Sequence, residues 1–412
     1  MRVWPSWFDP VCVSATLERQ GGRARGLARA STRLFQVGRM ALVPASVALQ
    51  IAFVVHNVGA GHTAWAIDFA GNLRVPAQEI LRGDSPYHPA ELAHVRDAVA
   101  AGHSPFAYHH GVYATYPAPS LLAGVPFTAL PFAVAAWLWF GCLLAAGGVA
   151  LRLAGVRDRR VYAVALFAPP VLGSLYYGSI DLVLMLGLAA CWRWRDRAGP
   201  AGIALGAIIA LKLIALPLVV WLVATRRWRA AAVSLAVGGC VMGAGWALIG
   251  FHGLAGYPHL LSLLTDIESS RGFSAVAYAT ALGASPGVAA FAPFVAGAVL
   301  VAALGSASRR SANADAASFL FGVLAILAFS PIVWQHTVTL LFVPLAVLRP
   351  RFGPFWVIPL LLWIAPDTVG ATGALQLVAF AIVVTALCVR ALAPAVRPEA
   401  PGAGLSPSVS LA

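Results

Sequence analysis

A chain of 412 residues that is 60% hydrophobic and only 10% charged, with a mean hydropathy of +0.81, holds more apolar surface than a water-soluble fold can bury. Its net charge of +13 comes almost wholly from arginine, Lys212 being the single lysine, so the excess reads as anchoring at one face of a bilayer and not as nucleic-acid binding. Cys12, Cys142, Cys191, Cys240 and Cys388 show neither CxxC nor Cys/His spacing, which argues against a disulfide framework or a zinc site.

In chain order, residues 1–39 carry Arg19, Arg23, Arg25, Arg29, Arg33 and Arg39 and are predicted to be a basic cytoplasmic segment. The apolar run 40–56 is followed by no small-residue cleavage site and reads as a first span, not a removed signal peptide. The loop 57–116 places Trp65, Phe69, Leu73, Ile80 and Leu81 at helical spacing, and Pro89 to Ala101 predicts a second short helix. Both are expected to be amphipathic helices lying at the membrane interface. Further apolar windows fall at 117–153, 161–177, 180–194, 201–225, 230–250, 286–305, 317–333, 336–348, 353–366 and 372–391. Several are shorter than the roughly 20 residues of a full crossing, so short or broken helices are expected. With no long-period repeat, residues 40–392 form one membrane domain, and 393–412, rich in Pro, Ala, Gly and Ser, read as a disordered cytoplasmic tail.

The basic connectors Arg157–Arg160, Arg193–Arg197, Arg226–Arg229, Arg309–Arg310 and Arg349–Arg351, with the tail after Arg390, all belong to the same side under the positive-inside rule. One straight span cannot join Arg197 to Arg226. A hairpin of two half-helices turning near Lys212 resolves this, and such breaks are tolerated where they line a protein-walled cavity. The window 117–153 must cross an odd number of times, yet Pro117, Pro119, Pro126 and Pro131 divide it, leaving a re-entrant first half or a misplaced basic loop as the alternatives.

The ionisable residues outside these connectors gather on the opposite face. Asp68 sits on an otherwise apolar stretch, as a helix cap, a solvated carboxylate or a base. Lys212 in an apolar run costs about 2.5–3.5 kcal/mol unless compensated, by an anionic group such as a phosphate, by snorkelling or by an internal carboxylate. Gln335 and His336 follow a proline-terminated helix and are expected to face an outer vestibule, in contact with a ligand or as an interfacial anchor. Asp181 begins a helix, where capping and substrate contact both fit. Polar side chains that a sugar could use, His252, Tyr257, His259, Asp266, Glu268 and Arg271, populate the loop 251–275. His103, His109 and His110 read as solvated loop residues, not a metal cluster.

Taken together, Asp68 in its amphipathic loop, Arg82-Gly83-Asp84-Ser85-Pro86-Tyr87, Ala114-Thr115-Tyr116-Pro117-Ala118-Pro119, Gly202 to Lys212, and Ser330-Pro331-Ile332-Val333-Trp334-Gln335-His336 resemble the bacterial polyprenyl-phosphate-mannose-dependent glycosyltransferases of family 87. The resemblance covers roughly residues 40–390. It implies an all-α polytopic membrane protein, a GT-C-type helical bundle, in which Asp68 is the general base and Lys212 and His336 approach the lipid phosphate. Tyr87 and Tyr116 would shape the sugar cavity, to which Tyr177, Asp181, Gln335, His259 and Arg271 are assigned as well. The implied partners are a polyprenyl-phosphate sugar donor, the bilayer and a glycolipid or polysaccharide acceptor, with the active site facing outward from a bacterial plasma membrane. No glycine-rich nucleotide loop or acidic metal pair is present in the sequence, so neither a cofactor nor a divalent metal is expected. Two positions depart from the family pattern: Gly178-Ser179-Ile180-Asp181 replaces a Gly-Gln-x-Asn turn, and Tyr116-Pro117-Ala118 a Tyr-Pro-Pro segment. The competing readings are a polyprenyl-phosphate-arabinose-dependent arabinofuranosyltransferase, a lipid or solute transporter, and a scaffold that has lost activity.

Overall fold

The computed structural model describes residues 41–59, 65–101, 114–310, 314–364 and 373–392. The basic N-terminal segment, the C-terminal tail and His103, His109, His110, Pro366 and Asp367 lie outside the described residues. Those described contain no β-strand, and the chain is a helical, multi-pass membrane protein.

Among the described residues, five helices are long and apolar enough to cross a bilayer: α1 (Ala41–Gly59), α6 (Phe132–Leu153), α12 (Trp228–Leu248), the segment Pro286–Ser306, and α19 (Ala374–Leu392). Before α6 come one turn at Ile67–Phe69 (α2), then α3 (Val75–Arg82), α4 (Pro89–Ala100) and α5 (Ala118–Leu122). Proline explains several of the breaks that follow. The window 161–177 splits at Ala168 into α7 (Arg159–Phe167) and α8 (Pro169–Tyr177), because two prolines open the second helix. α9 (Asp181–Arg193) runs beside α6 in the same direction, with Trp139 Nε1 donating to Gly178 O at 2.8 Å and Gly147 against Leu182.

The expected hairpin is present. Chain direction proves it, since on α10 (Ala198–Leu211) Gly202 meets Ala230 and Val233, while Gly206 meets Ser234 and Val237, of α12. Ascending numbers face ascending numbers, so α10 and α12 are parallel and the intervening 3-10 turn (Leu213–Ala215) and α11 (Leu218–Ala224) must bring the chain back. Its two ends indeed meet: Arg227 Nη2 donates to Asp196 Oδ1 at 3.0 Å. At 1.5 Å per residue, the fifteen positions from 198 to 212 place Lys212 about 21 Å from that junction.

The ambiguity at 117–153 resolves as a re-entrant first half. α5 ends after five residues, its Ser120 hydroxyl donates to Leu211 O beside the hairpin apex, and α6 makes the one crossing. A second expectation is corrected: Phe69 and Leu73 do not lie against the membrane interface but in the protein core, where Phe69 stacks on Trp139 at 5.8 Å.

The remaining elements are α13 (Tyr257–Glu268), α14 (Ala275–Ala281), α15 (Pro286–Ala289), α16 (Ala292–Arg310), α17 (Ala314–Phe329) and α18 (Phe342–Leu348). α17 rises from the same junction as the hairpin, because Asp315 accepts from Arg195 at 3.2 Å and from Arg227 at 2.9 Å. A neighbouring basic corner is fastened by Asp158, which caps α7, pairs with Arg160 at 2.9 Å and accepts from Phe352 N. Its hydrogen bonds to Arg160 hold the Asp158 carboxyl down at about 2. Arg160, Arg195 and Arg227 thus share one end of the bundle, and Lys212 points to the other.

Gly206 is where this arrangement can be tested. An added methyl there would sit 2.6 Å from Ser234 O and 2.8 Å from Val237 Cβ, whereas one at Gly239 meets nothing within 4 Å. Gly206→Ala is expected to destabilise the protein by about 1–3 kcal/mol, read as a lower unfolding temperature in detergent, with Gly239→Ala unchanged or slightly stabilised.

Candidate functional site

Five separate segments converge at the hairpin apex. α10 stops when Lys212 turns extended (φ −153°, ψ 114°), and its ammonium donates to Asp181 Oδ1 at 2.9 Å, over the Tyr116 ring at 5.2 Å. His336 is the second residue of the 3-10 stretch Gln335–Leu341, and its Nε2 lies 3.7 Å from Asp68 Oδ2 and 3.8 Å from Asp181 Oδ2. Tyr177 places its ring edge on the imidazole at 5.8 Å. Access is graded, the side chains being 24% exposed for Asp68, 18% for Lys212, 7% for His336 and 0% for Asp181. The more exposed Asp68 carboxylate therefore lies on the open side, and Lys212 and His336 lie behind it.

Local structure explains each position. Asp68 occupies the α2 turn, which starts from Ala66 in the left-handed region (φ 56°), a conformation costing an L-residue about 1–2 kcal/mol. The turn is tied down by Ala66 N donating to Tyr176 O at 2.8 Å. Gly178, at φ 73°, closes the same contact, since a Cβ there would stand 2.8 Å from Phe69 Cβ. Asp68 and Asp181 are thereby set relative to one another through the Tyr176–Gly178 turn. His336 is fixed through its backbone, whose carbonyl accepts from Thr339 Oγ1 at 2.8 Å and Ser174 Oγ at 3.3 Å.

Tyr116 is positioned by a strap pinned at three points. Asn72 Oδ1 accepts from Thr115 N at 2.9 Å and from Thr115 Oγ1 at 2.8 Å, the Tyr257 hydroxyl donates to Thr115 O at 2.9 Å, and the Tyr87 hydroxyl to Tyr116 O at 3.0 Å. Burial pushes both phenols above their usual range, which keeps these donors protonated. Tyr87 stacks on Trp246 at 5.3 Å and meets Tyr257 edge-on at 5.4 Å.

Several sequence expectations change here. Asp181 is not a cap: α9 begins from Ile180 without a side-chain cap bond, and the Asp181 carboxylate instead neutralises Lys212. Asp68 is not the cap of its turn, whose N-cap position is Ala66. Lys212 does not snorkel, and of the compensations open to it the internal carboxylate is the one observed. Gln335 does not face a vestibule, because its amide is buried and donates to Leu362 O at 3.2 Å. His336 is buried rather than interfacial. Tyr87 supports the strap from behind, and His259 is exposed on α13. Arg271 lies just past α13, 4.0 Å from Glu268. Asn72 was not anticipated, although a polar side chain on the same helical face as Phe69 and Leu73 is the kind of signal that marks a buried hydrogen-bonding role.

Residues 114–331, more than half of the chain, match glycosyltransferase family 87. A polyprenol-phosphate-mannose-dependent alpha-(1-2)-phosphatidylinositol pentamannoside mannosyltransferase of Mycolicibacterium smegmatis is 26% identical over 271 residues, which cover 61% of this chain and 60% of that protein. The chain thus spans less than two thirds of the curated relative it matches. No solved structure matches it significantly. On the extent of the family match, the chain belongs to glycosyltransferase family 87.

Proposed function

We propose that this protein transfers a sugar, mannose, from a polyprenyl-phosphate donor to a hydroxyl of an extracytoplasmic glycolipid or polysaccharide, with inversion at the anomeric carbon, in a bacterial plasma membrane. The observation that carries this reading is the convergence of Asp68, Lys212 and His336 at the bundle end opposite Arg195 and Arg227. The relative's named donor and lipid acceptor favour mannose over a pentose, and transferase over transporter.

The chemistry follows from the graded exposure. The acceptor hydroxyl attacks the anomeric carbon from the open side and gives its proton to the Asp68 carboxylate, while the bond from that carbon to the phosphate oxygen breaks and its electron pair leaves with the lipid phosphate. Negative charge grows on that phosphate. An ammonium has three N–H groups, and the bond to Asp181 uses one, so Lys212 can donate to Asp181 and to the phosphate together. His336 adds a second donor. Donors placed in advance where charge develops contribute most in a dry site, and the Lys212 ammonium fills the role that a metal has in other phosphate-leaving reactions. Transfer is accordingly expected to persist in excess EDTA, measured with labelled donor in washed membranes.

Asp68→Asn is expected to lower transfer by about 10²–10⁴-fold at unchanged expression and unfolding temperature. Transfer by this variant at the wild-type rate would remove Asp68 from the mechanism.

The charged pair has a structural and a chemical part that two variants separate. Lys212→Met leaves the fully buried Asp181 without its partner and is expected to cost about 3–5 kcal/mol in detergent unfolding, together with activity. The double variant Lys212→Met/Asp181→Leu replaces the pair by apolar groups and is expected to recover the stability while remaining inactive. Recovery of both would make the pair a purely structural device.

A further inference from the structure

Between α1 and the helices α6 to α9 lies a cavity of about 190 Å³, every lining residue of which is apolar but for the Tyr162 phenol. Two glycines of α6 make the room. A Cβ at Gly147 would already meet Leu182 at 3.3 Å, whereas one at Gly148 meets nothing within 4 Å. Val43, Val47, Leu144 and Gly148 on its rim are half-exposed, so the cavity opens sideways between α1 and α6, where the bilayer lies. Water finds no partners on such walls, and the neighbouring solvent able to fill them is hydrocarbon. α1 is tied to the far wall by Gln50, whose amide donates to Leu166 O.

One end of the cavity is charged. The Tyr162 hydroxyl donates to Val156 O at 3.0 Å, which sets Arg157 one residue from the phenol, and Leu151 on the cavity wall is followed by Arg152. The positive charge of both guanidiniums is felt at the Tyr162 hydroxyl. Both arginines are exposed. The carboxylate next to them in the chain, Asp158, is already engaged by Arg160 and Phe352 N, and among the described residues no ion pair holds Arg152 or Arg157. A dry slot of hydrocarbon width thus ends at two cations that lack a counter-charge.

We propose that this cavity, with Arg152 and Arg157, binds an anionic phospholipid of the leaflet at the arginine end, one acyl chain lying between α1 and α6 and the headgroup phosphate accepting from the two guanidiniums. The site shares no residue with the Asp68 cluster and stands whether or not sugar is transferred. Charge selects this occupant. The segment before α1 carries six arginines and has the wrong sign to be drawn against Arg152 and Arg157, while a free phosphate would leave the cavity unfilled. Guanidinium–phosphate contacts fix the headgroup, and the chain occupies room that protein side chains leave open. The lipid is then a packing element between the first span and the rest of the bundle.

The test is lipid binding to the full-length protein in a non-ionic detergent, followed by native mass spectrometry with dioleoyl-phosphatidylglycerol, dioleoyl-phosphatidylcholine and, as a headgroup without chains, glycerol phosphate. Wild type is expected to bind the phosphatidylglycerol about 10- to 30-fold more tightly than the phosphatidylcholine, and glycerol phosphate not at all. Arg152→Gln/Arg157→Gln removes that preference at unchanged unfolding temperature. Arg193→Gln/Arg229→Gln, which takes the same charge from exposed positions on other basic connectors, retains it. Gly148→Leu fills the cavity and weakens both lipids about tenfold, with an equal or higher unfolding temperature in lipid-free detergent. Equal affinity of wild type for the two lipids overturns the site, as does an equal loss of preference in the two arginine pairs, the result that net charge alone would give. Unchanged lipid binding by Gly148→Leu overturns the seating of the chain in the cavity, and so does glycerol phosphate binding as tightly as the lipid.

Discussion

An ammonium held among apolar helices needs a counter-charge, and the pair between Lys212 and Asp181 is the constraint around which this molecule is arranged. The pair requires the chain to reverse at Lys212, since both flanks of the hairpin end in arginines on one side. Reversal in turn requires α10 to lie against α12 without room for side chains, which Gly202 and Gly206 provide. It requires as well that α9 begin at the depth of the apex, so that Asp181 is present there with no exposed surface. Attraction alone does not make such a pair stabilising, because desolvation takes back most of the Coulomb energy. What the pair secures is a unique register for three segments.

A second layer converts that register into an open and a closed side. Tyr87, Tyr257 and Asn72 hold the 115–116 strap by its backbone, and that backbone places the Tyr116 ring. The Ala66 and Gly178 contacts do the same for Asp68. Left-handed backbone two residues before the Asp68 carboxylate is strain that the surrounding bonds must sustain, and here the sustaining groups are Tyr176 and Phe69. The polar groups that could meet a substrate are thus oriented by groups that do not.

Much of this was legible in the residues. The hairpin followed from Arg197 and Arg226 having to share a side, a bookkeeping argument that needs no tertiary information. α4 and the long spans followed from periodicity. The prolines of 117–131 announced a break but not its depth, which is decided by Ser120 reaching Leu211, a contact across 91 residues. Asp181 read equally as a helix cap because the local signal for a cap and for a buried ion pair is the same carboxylate at a helix start, and only a partner 31 residues away tells them apart. Gln335 looked outward because the proline before it ends a helix, yet its amide is drawn inward by Leu362 O in a 3-10 segment with weak sequence character.

The separation of 31 residues between Asp181 and Lys212 also bears on how the protein is made. A ribosome delivers the chain from its N-terminus, so the carboxylate is already in place on α9 when the lone lysine emerges. The hairpin therefore never has to present an uncompensated ammonium to lipid while it waits for later helices. Asp315, which ties the base of the same hairpin, arrives only about ninety residues after Arg227. In order of synthesis the apex pair is therefore available first, the Asp196–Arg227 contact between the two ends of the hairpin next, and the Asp315 bonds to Arg195 and Arg227 last.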